Sequence, residues 1–164
     1  MLVEVTYACK MGCTHCLSDC KPDGEHMTLE VFEDVLKFMI KNQIPTWSFS
    51  GGEMFEHPDI LKMLSLIESY WKTLPIKYPI TFATNGRELV RNKKIYHAVS
   101  EFLKHCDGFI EMRLQIGGTR HNTKRAIQQE LENTFNYFMD NPAYVYTPEQ
   151  FDSILQPEYR GNLD

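Results

Sequence analysis

No stretch of the chain approaches the roughly 20 consecutive apolar residues that a membrane-spanning helix needs. The opening MLVEVTYACK lacks a basic leader followed by an apolar core and a small-residue cleavage site. The expectation is a cytoplasmic protein with no membrane partner. A basic excess is also missing: 17 Lys and Arg stand against 22 Asp and Glu, a formal charge of -5. Such a chain offers no general field to a polyanion, so direct nucleic-acid binding is disfavoured. The local cluster Arg87, Arg91, Lys93 and Lys94 reads as the solvated face of a helix or loop. No internal repeat is present. The five cysteines are an odd number, and four of them fall between positions 9 and 20. That distribution argues for reduced thiols or metal ligands in a reducing compartment more than for a disulfide scaffold. Cys106 stands apart and reads as a small buried hydrophobe.

What is there suits one globular unit. The 164 residues are 43% hydrophobic and 12% aromatic, enough for a single core. Leu2 to Tyr7 reads as a strand, and Met27 to Lys41 as a helix that Thr28 can cap, with Leu29, Phe32, Leu36, Met39 and Ile40 as its apolar stripe. Trp47 to Phe49 form a second strand ending at Gly51-Gly52, and Ile60, Leu61, Leu64 and Ile67 then recur at helical spacing. A third strand, Ile80 to Ala83, runs into Thr84-Asn85-Gly86 and is followed by a helix from Lys94 to Lys104. A fourth, Phe109 to Ile116, ends at Gly117-Gly118. Strand, loop and helix repeat at separations that suit right-handed crossovers, which makes the fold α/β with an open parallel sheet of repeated βα units. A helix over Lys124 to Met139, a short strand at Tyr144 to Tyr146 and a last helix opened by Thr147-Pro148-Glu149-Gln150 complete the expected order.

Two motifs carry chemistry. Cys9, Cys13 and Cys16 lie in a polar loop just after the first strand, spaced C-x3-C-x2-C, with Gly12 to tighten the turn. Thiolates are soft anionic donors suited to iron, and three of them leave one iron of a four-iron cluster open. A zinc knuckle or unliganded thiols are the other readings. Cys20 would complete a closed four-sulfur site with no open position. At the end of the second strand, Glu53 follows two glycines that permit close backbone approach, and its carboxylate can accept from a protonated amine. Taken alone, Gly-Gly-Glu is better explained by a strand-ending turn with an exposed acid, and the cysteine loop reverses that preference. Asn85 and Gly86 end the third strand, where open parallel sheets place ligands, although Asn-Gly is equally a favourable turn.

CKMGCTHC at 9–16 and SGGEMFEHPD at 50–59 resemble the radical S-adenosylmethionine superfamily. ATNG at 83–86 and FIEMRLQI followed by GGT at 109–119 resemble its third and fourth strands, so the resemblance covers about residues 2 to 140. It implies a partial (β/α) barrel and a [4Fe-4S] cluster held by Cys9, Cys13 and Cys16. S-adenosylmethionine would occupy the open iron, with Ser50, Gly51, Gly52, Glu53 and Asn85 at its site, Glu53 near its amino group and His15 beside the adenine. The implied activity is reductive cleavage to a 5'-deoxyadenosyl radical that abstracts hydrogen from a substrate, a peptide or protein among the candidates, with an electron donor protein as partner. Three departures accompany the resemblance. Met54 replaces a frequent proline, and His15 replaces a frequent aromatic residue. The chain also has room for four βα units and a doubtful fifth where six are usual. The domain expectation is therefore one α/β unit over 1–164, as an incomplete core, an unusually small enzyme or a subunit completed by another copy or a missing partner. The alternative function is a non-catalytic metal-binding or structural protein.

Overall fold

The protein is described here from a computed structural model over residues 1–13, 16, 18–106 and 110–114. Strict alternation builds its strands. In β2 (Trp47–Ser50) and β3 (Ile80–Thr84), Trp47, Phe49, Ile80 and Phe82 are fully buried, while Ser48, Ser50, Thr81 and Ala83 between them are half-buried. One face of the sheet is thus aromatic and aliphatic, and the other is small and polar. β1 (Leu2–Glu4) and β4 (Ile110–Leu114) flank them, all four strands run parallel, and the order is β1-β2-β3-β4. Sequential order with right-handed crossovers puts every connecting helix on one face, which is the geometry of a barrel segment.

The helices supply the matching apolar stripes. α1 (Leu29–Lys41) buries Phe32, Leu36 and Met39, and the Thr28 hydroxyl accepts from the Val31 N–H as its N-cap. It stops where Gln43 turns left-handed at φ 51, which lets the Ile44 N–H reach the Met39 carbonyl at 3.0 Å. α2 (Ile60–Thr73) buries Ile60, Met63, Leu64, Ile67 and Trp71, whereas Leu61 points outward at 40% exposure. α4 (Lys93–His105) buries Ile95, Val99 and Phe102 beneath an Asn92 cap that accepts from Lys94 and Ile95. α2 packs against both α1 and α4. Rings join the two layers: Phe32 lies 5.7 Å from Phe49, Phe49 lies 5.8 Å from Phe82, and Phe82 lies 5.6 Å from Phe102. Each of these buried rings is worth roughly 1.5–3 kcal/mol of transfer free energy. Cys106 is buried as expected, and burial pushes its thiol up to about 11.

Two short elements escape the sequence reading. A 3₁₀ turn, Met54–Glu56, follows the Gly-Gly-Glu motif, and α3 (Arg87–Arg91) follows Asn85-Gly86. The second corrects the basic cluster. Arg87 is only 7% exposed, with its guanidinium 4.0 Å from the Met11 sulfur, while Arg91, Lys93 and Lys94 remain exposed. Arg87 turns inward because Asn85 Oδ1 accepts its N–H and fixes α3 against the strand end. The expected elements after Ile116 lie outside the described residues.

Candidate functional site at the strand ends

Past Glu4 the chain stays extended. The Val5 N–H donates to Ser50 O at 2.9 Å, the Gly52 N–H to Thr6 O at 2.7 Å and the Glu53 N–H to Ala8 O at 2.9 Å. Residues 5–8 therefore lie alongside 50–53 beyond the formal ends of both strands. On their other side, Cys9 N–H donates to Lys21 O at 2.9 Å, Lys21 N–H to Tyr7 O at 3.1 Å and Met27 N–H to Val5 O at 2.9 Å. The cysteine loop is thus an excursion whose two ends are stapled together at its base. Thr6 supports that base: its hydroxyl accepts from the Ala8 N–H at 2.9 Å and lies 2.8 Å from His26 Nδ1.

The glycines at 51 and 52 have a physical explanation the sequence reading did not reach. A Cβ on Gly51 would sit 2.3 Å from the Thr6 carbonyl oxygen, and one on Gly52 2.3 Å from the Ala8 oxygen and 3.1 Å from the Cys9 Cβ. What approaches them closely is the cysteine strand itself. These glycines seat the first cysteine-bearing segment directly on the second motif.

Glu53 closes the third side. Its carboxylate is 1% exposed and accepts from the Thr84 hydroxyl at 2.7 Å, the Phe55 N–H at 3.1 Å and the Asn85 N–H at 2.6 Å. Burial outweighs these donors and pushes its pKa up to about 7. Three hydrogen bonds leave one of roughly four acceptor positions, on the oxygen facing Asn85. Thr84, which the sequence reading did not single out, accepts in turn from the Gly86 N–H at 3.0 Å. Nearby, His57 Nδ1 accepts from the Asp59 N–H at 3.0 Å and its Nε2 donates to Met27 O at 2.9 Å. That pattern fixes a neutral ring, and burial lowers its pKa.

The structure therefore brings Ser50, Gly51, Gly52, Glu53 and Asn85 together with the base of the cysteine loop, while His15 lies outside the described residues. Cys9, Cys13, Cys16 and Cys20 are all free and half-buried. Among the described residues, no three metal-ligating side chains are gathered into one group. Their environments differ. Burial pushes the Cys9 thiol up to about 11 and raises Cys13. Cys16 is lowered by the Cys20 N–H that donates to its sulfur at 3.4 Å, and Cys20 is pushed up to about 12 by burial and by Cys16. Half-buried thiols on a tethered loop, with Cys9 and Cys13 raised by burial, suit a cationic metal, whose charge offsets the cost of ionising them. The donor chemistry of Cys9, Cys13 and Cys16 fits an iron-sulfur group.

A parallel βα sheet with a thiol-rich loop, a Gly-Gly-Glu turn and an Asn-Gly turn at adjacent strand ends defines an α/β protein of partial-barrel type. The Radical SAM superfamily matches over residues 3–138, and the chain belongs to that family. Individual relatives are distant. The chain is 26% identical over 74 residues to the antilisterial bacteriocin subtilosin biosynthesis protein AlbA of Bacillus subtilis, which is 44% of this chain and 16% of the relative. It is 24% identical over 126 residues to mycofactocin maturase MftC of Mycobacterium tuberculosis, covering 76% of this chain and 29% of the relative. A second mycofactocin maturase, from Mycobacterium ulcerans, is 27% identical over 84 residues, 51% of this chain and 21% of the relative. The chain thus spans less than a third of the length of these curated relatives. Among the described residues, no helix is long and apolar enough to cross a membrane.

Proposed function

We propose that this chain is the cofactor-binding core of a radical S-adenosylmethionine enzyme that modifies a peptide. The observation that carries the reading is the single hydrogen-bonded constellation at the strand ends. Residues 6–9 rest on Gly51-Gly52, and Glu53 bonds Thr84 and Asn85. In this reading Cys9, Cys13 and Cys16 hold a [4Fe-4S] cluster. Glu53 keeps its remaining acceptor position for the amino group of S-adenosylmethionine, beside Ser50, Asn85 and the His15 position. When both groups are bound, they supply reductive cleavage of the sulfonium and, from it, hydrogen abstraction. The chain's own task is to orient the bound molecule through the strand ends, beside the small polar sheet face formed by Ser48, Ser50, Thr81 and Ala83. A peptide substrate is supported by the names of the relatives, a bacteriocin biosynthesis protein and two maturases. The reaction requires an electron donor protein, and a four-stranded segment requires a further copy, partner or chain segment to enclose a radical.

The deciding experiment is anaerobic reconstitution followed by assay for 5'-deoxyadenosine with and without reductant. About four irons and four sulfides per chain with reductant-dependent product are expected. One zinc, no sulfide and no product would replace this reading with the second one, a closed four-thiolate site. That alternative draws on the 3.4 Å contact between the Cys20 N–H and the Cys16 sulfur.

A further inference from the structure

Glu56 stands three residues beyond the Gly-Gly-Glu turn, at the end of the 3₁₀ turn Met54–Glu56, where nothing in the motif itself calls for an acid. Its side chain is nevertheless 3% exposed. Both carboxylate oxygens face the Lys10 backbone N–H, Oε2 at 3.1 Å and Oε1 at 3.3 Å, and the Lys10 ammonium lies 3.9 Å away. Lys10 directly follows Cys9. On the other side of the loop, Met11 is 4% exposed and lies against the buried Arg87 guanidinium, whose charge also reaches Glu56. Burying a carboxylate is costly unless donors meet it. The donor that meets this one is the backbone of the cysteine loop.

We propose that Glu56 is a positioning residue for the cysteine loop, its carboxylate clamping the Lys10 N–H so that the Cys9 end of the loop is held against the Gly-Gly-Glu segment. The juxtaposition couples two motifs 46 residues apart. Gly52 fixes Cys9 by close packing, and Glu56 fixes the next peptide by hydrogen bonding, so the turn between them sets where the first thiol can point. The role asks for an acceptor at the right reach and not for a negative charge. Glutamine keeps the reach and one acceptor oxygen, aspartate keeps the charge but is one methylene short, and alanine loses both. The inference rests on the proposed cluster site for its purpose, yet its geometry is testable without a cluster.

The test is the rate at which iodoacetamide alkylates Cys9 in cluster-free reduced protein, read by peptide mass spectrometry and compared between variants per thiolate from a pH–rate profile, because the Glu56 charge itself raises the Cys9 thiol, with the buried Cys106 as an internal report on folding. Glu56→Ala and Glu56→Asp are expected to raise Cys9 alkylation about three- to tenfold, the range one lost hydrogen bond supplies, with Cys106 still protected. Glu56→Gln is expected to stay within about twofold of the unsubstituted protein. If the alanine variant exposes Cys106 as well, the aspartate and glutamine pair decides. Equal Cys9 rates in those two variants, or an aspartate variant indistinguishable from the unsubstituted protein, would overturn the proposal. Iron and sulfide uptake by the same variants gives a separate readout. Failure of the unsubstituted protein to take up either would sink the cluster reading while leaving the alkylation result to judge Glu56.

Discussion

Glu53 shows how much a single side chain can carry at this site. It is buried, accepts three hydrogen bonds from two neighbouring elements, and has its pKa pushed from 4.5 to about 7 by burial. Below pH 4.5 the carboxyl is protonated in folded and unfolded chains alike, so it imposes no penalty. Between pH 4.5 and 7 the unfolded chain ionises first, and folding stability falls as pH rises. The fall amounts to roughly 3 kcal/mol at ~1.4 kcal/mol per pH unit. Denaturant titrations of cluster-free protein are expected to show this slope, and Glu53→Gln to remove it. Identical slopes for both proteins would mean that Glu53 is solvated. The thiols make a second prediction at this scale. Serine replacement of Cys9, Cys13 or Cys16 should each abolish iron and sulfide uptake, whereas Cys20→Ser should retain most of it. Equal loss at Cys20 would favour the closed four-thiolate site.

At the scale of elements, the continuation of β1 is held from two sides, by residues 50–53 and by the return of the chain at 21–27. Gly52 is the tightest point of that contact. Gly52→Ala would force its Cβ to within 2.3 Å of the Ala8 oxygen, which the backbone can relieve only by separating the two motifs. A destabilisation of about 2–4 kcal/mol is expected in chemical denaturation, together with loss of cluster uptake. A variant with unchanged stability would show that the contact is slack. Deeper in the sheet, Phe82→Ala removes a ring that meets Phe49, Phe55 and Phe102. It should cost about 3–5 kcal/mol without altering which thiols bind iron.

For the whole molecule, the decisive feature is that the described sheet has four strands in sequential order, too few to close a barrel. Light scattering over a concentration series is expected to show mass rising above that of one chain, as copies cover what a complete barrel would enclose. A constant monomer mass would leave enclosure to a different partner or to a longer chain. In either case, cofactor uptake and turnover should separate. The cysteine loop and the Gly-Gly-Glu turn are built within residues 5–56, whereas shielding of a radical requires surfaces that the four strands do not form.

Much of this protein was legible in the sequence because the signals were local. Alternation at Trp47 to Ser50 and Ile80 to Thr84, the helical stripe of Phe32, Leu36 and Met39, and the Thr28 cap all depend on a few neighbouring residues. The clustered cysteines and the Gly-Gly-Glu turn depend only on spacing, and they carried the family. Tertiary structure decided what has no local signature. It turned Arg87 from an expected surface cation into a buried one. It also showed that the space left by Gly51 and Gly52 is filled by Thr6 and Ala8. Thr84 and Glu56 lie inside the two motifs, yet nothing local assigns them a partner, and their roles exist only because the sheet register brings them to Glu53 and Lys10. A spacing can announce which atoms are available for chemistry, but which of them meet is set by long-range backbone pairing, and that pairing is a property of the folded chain.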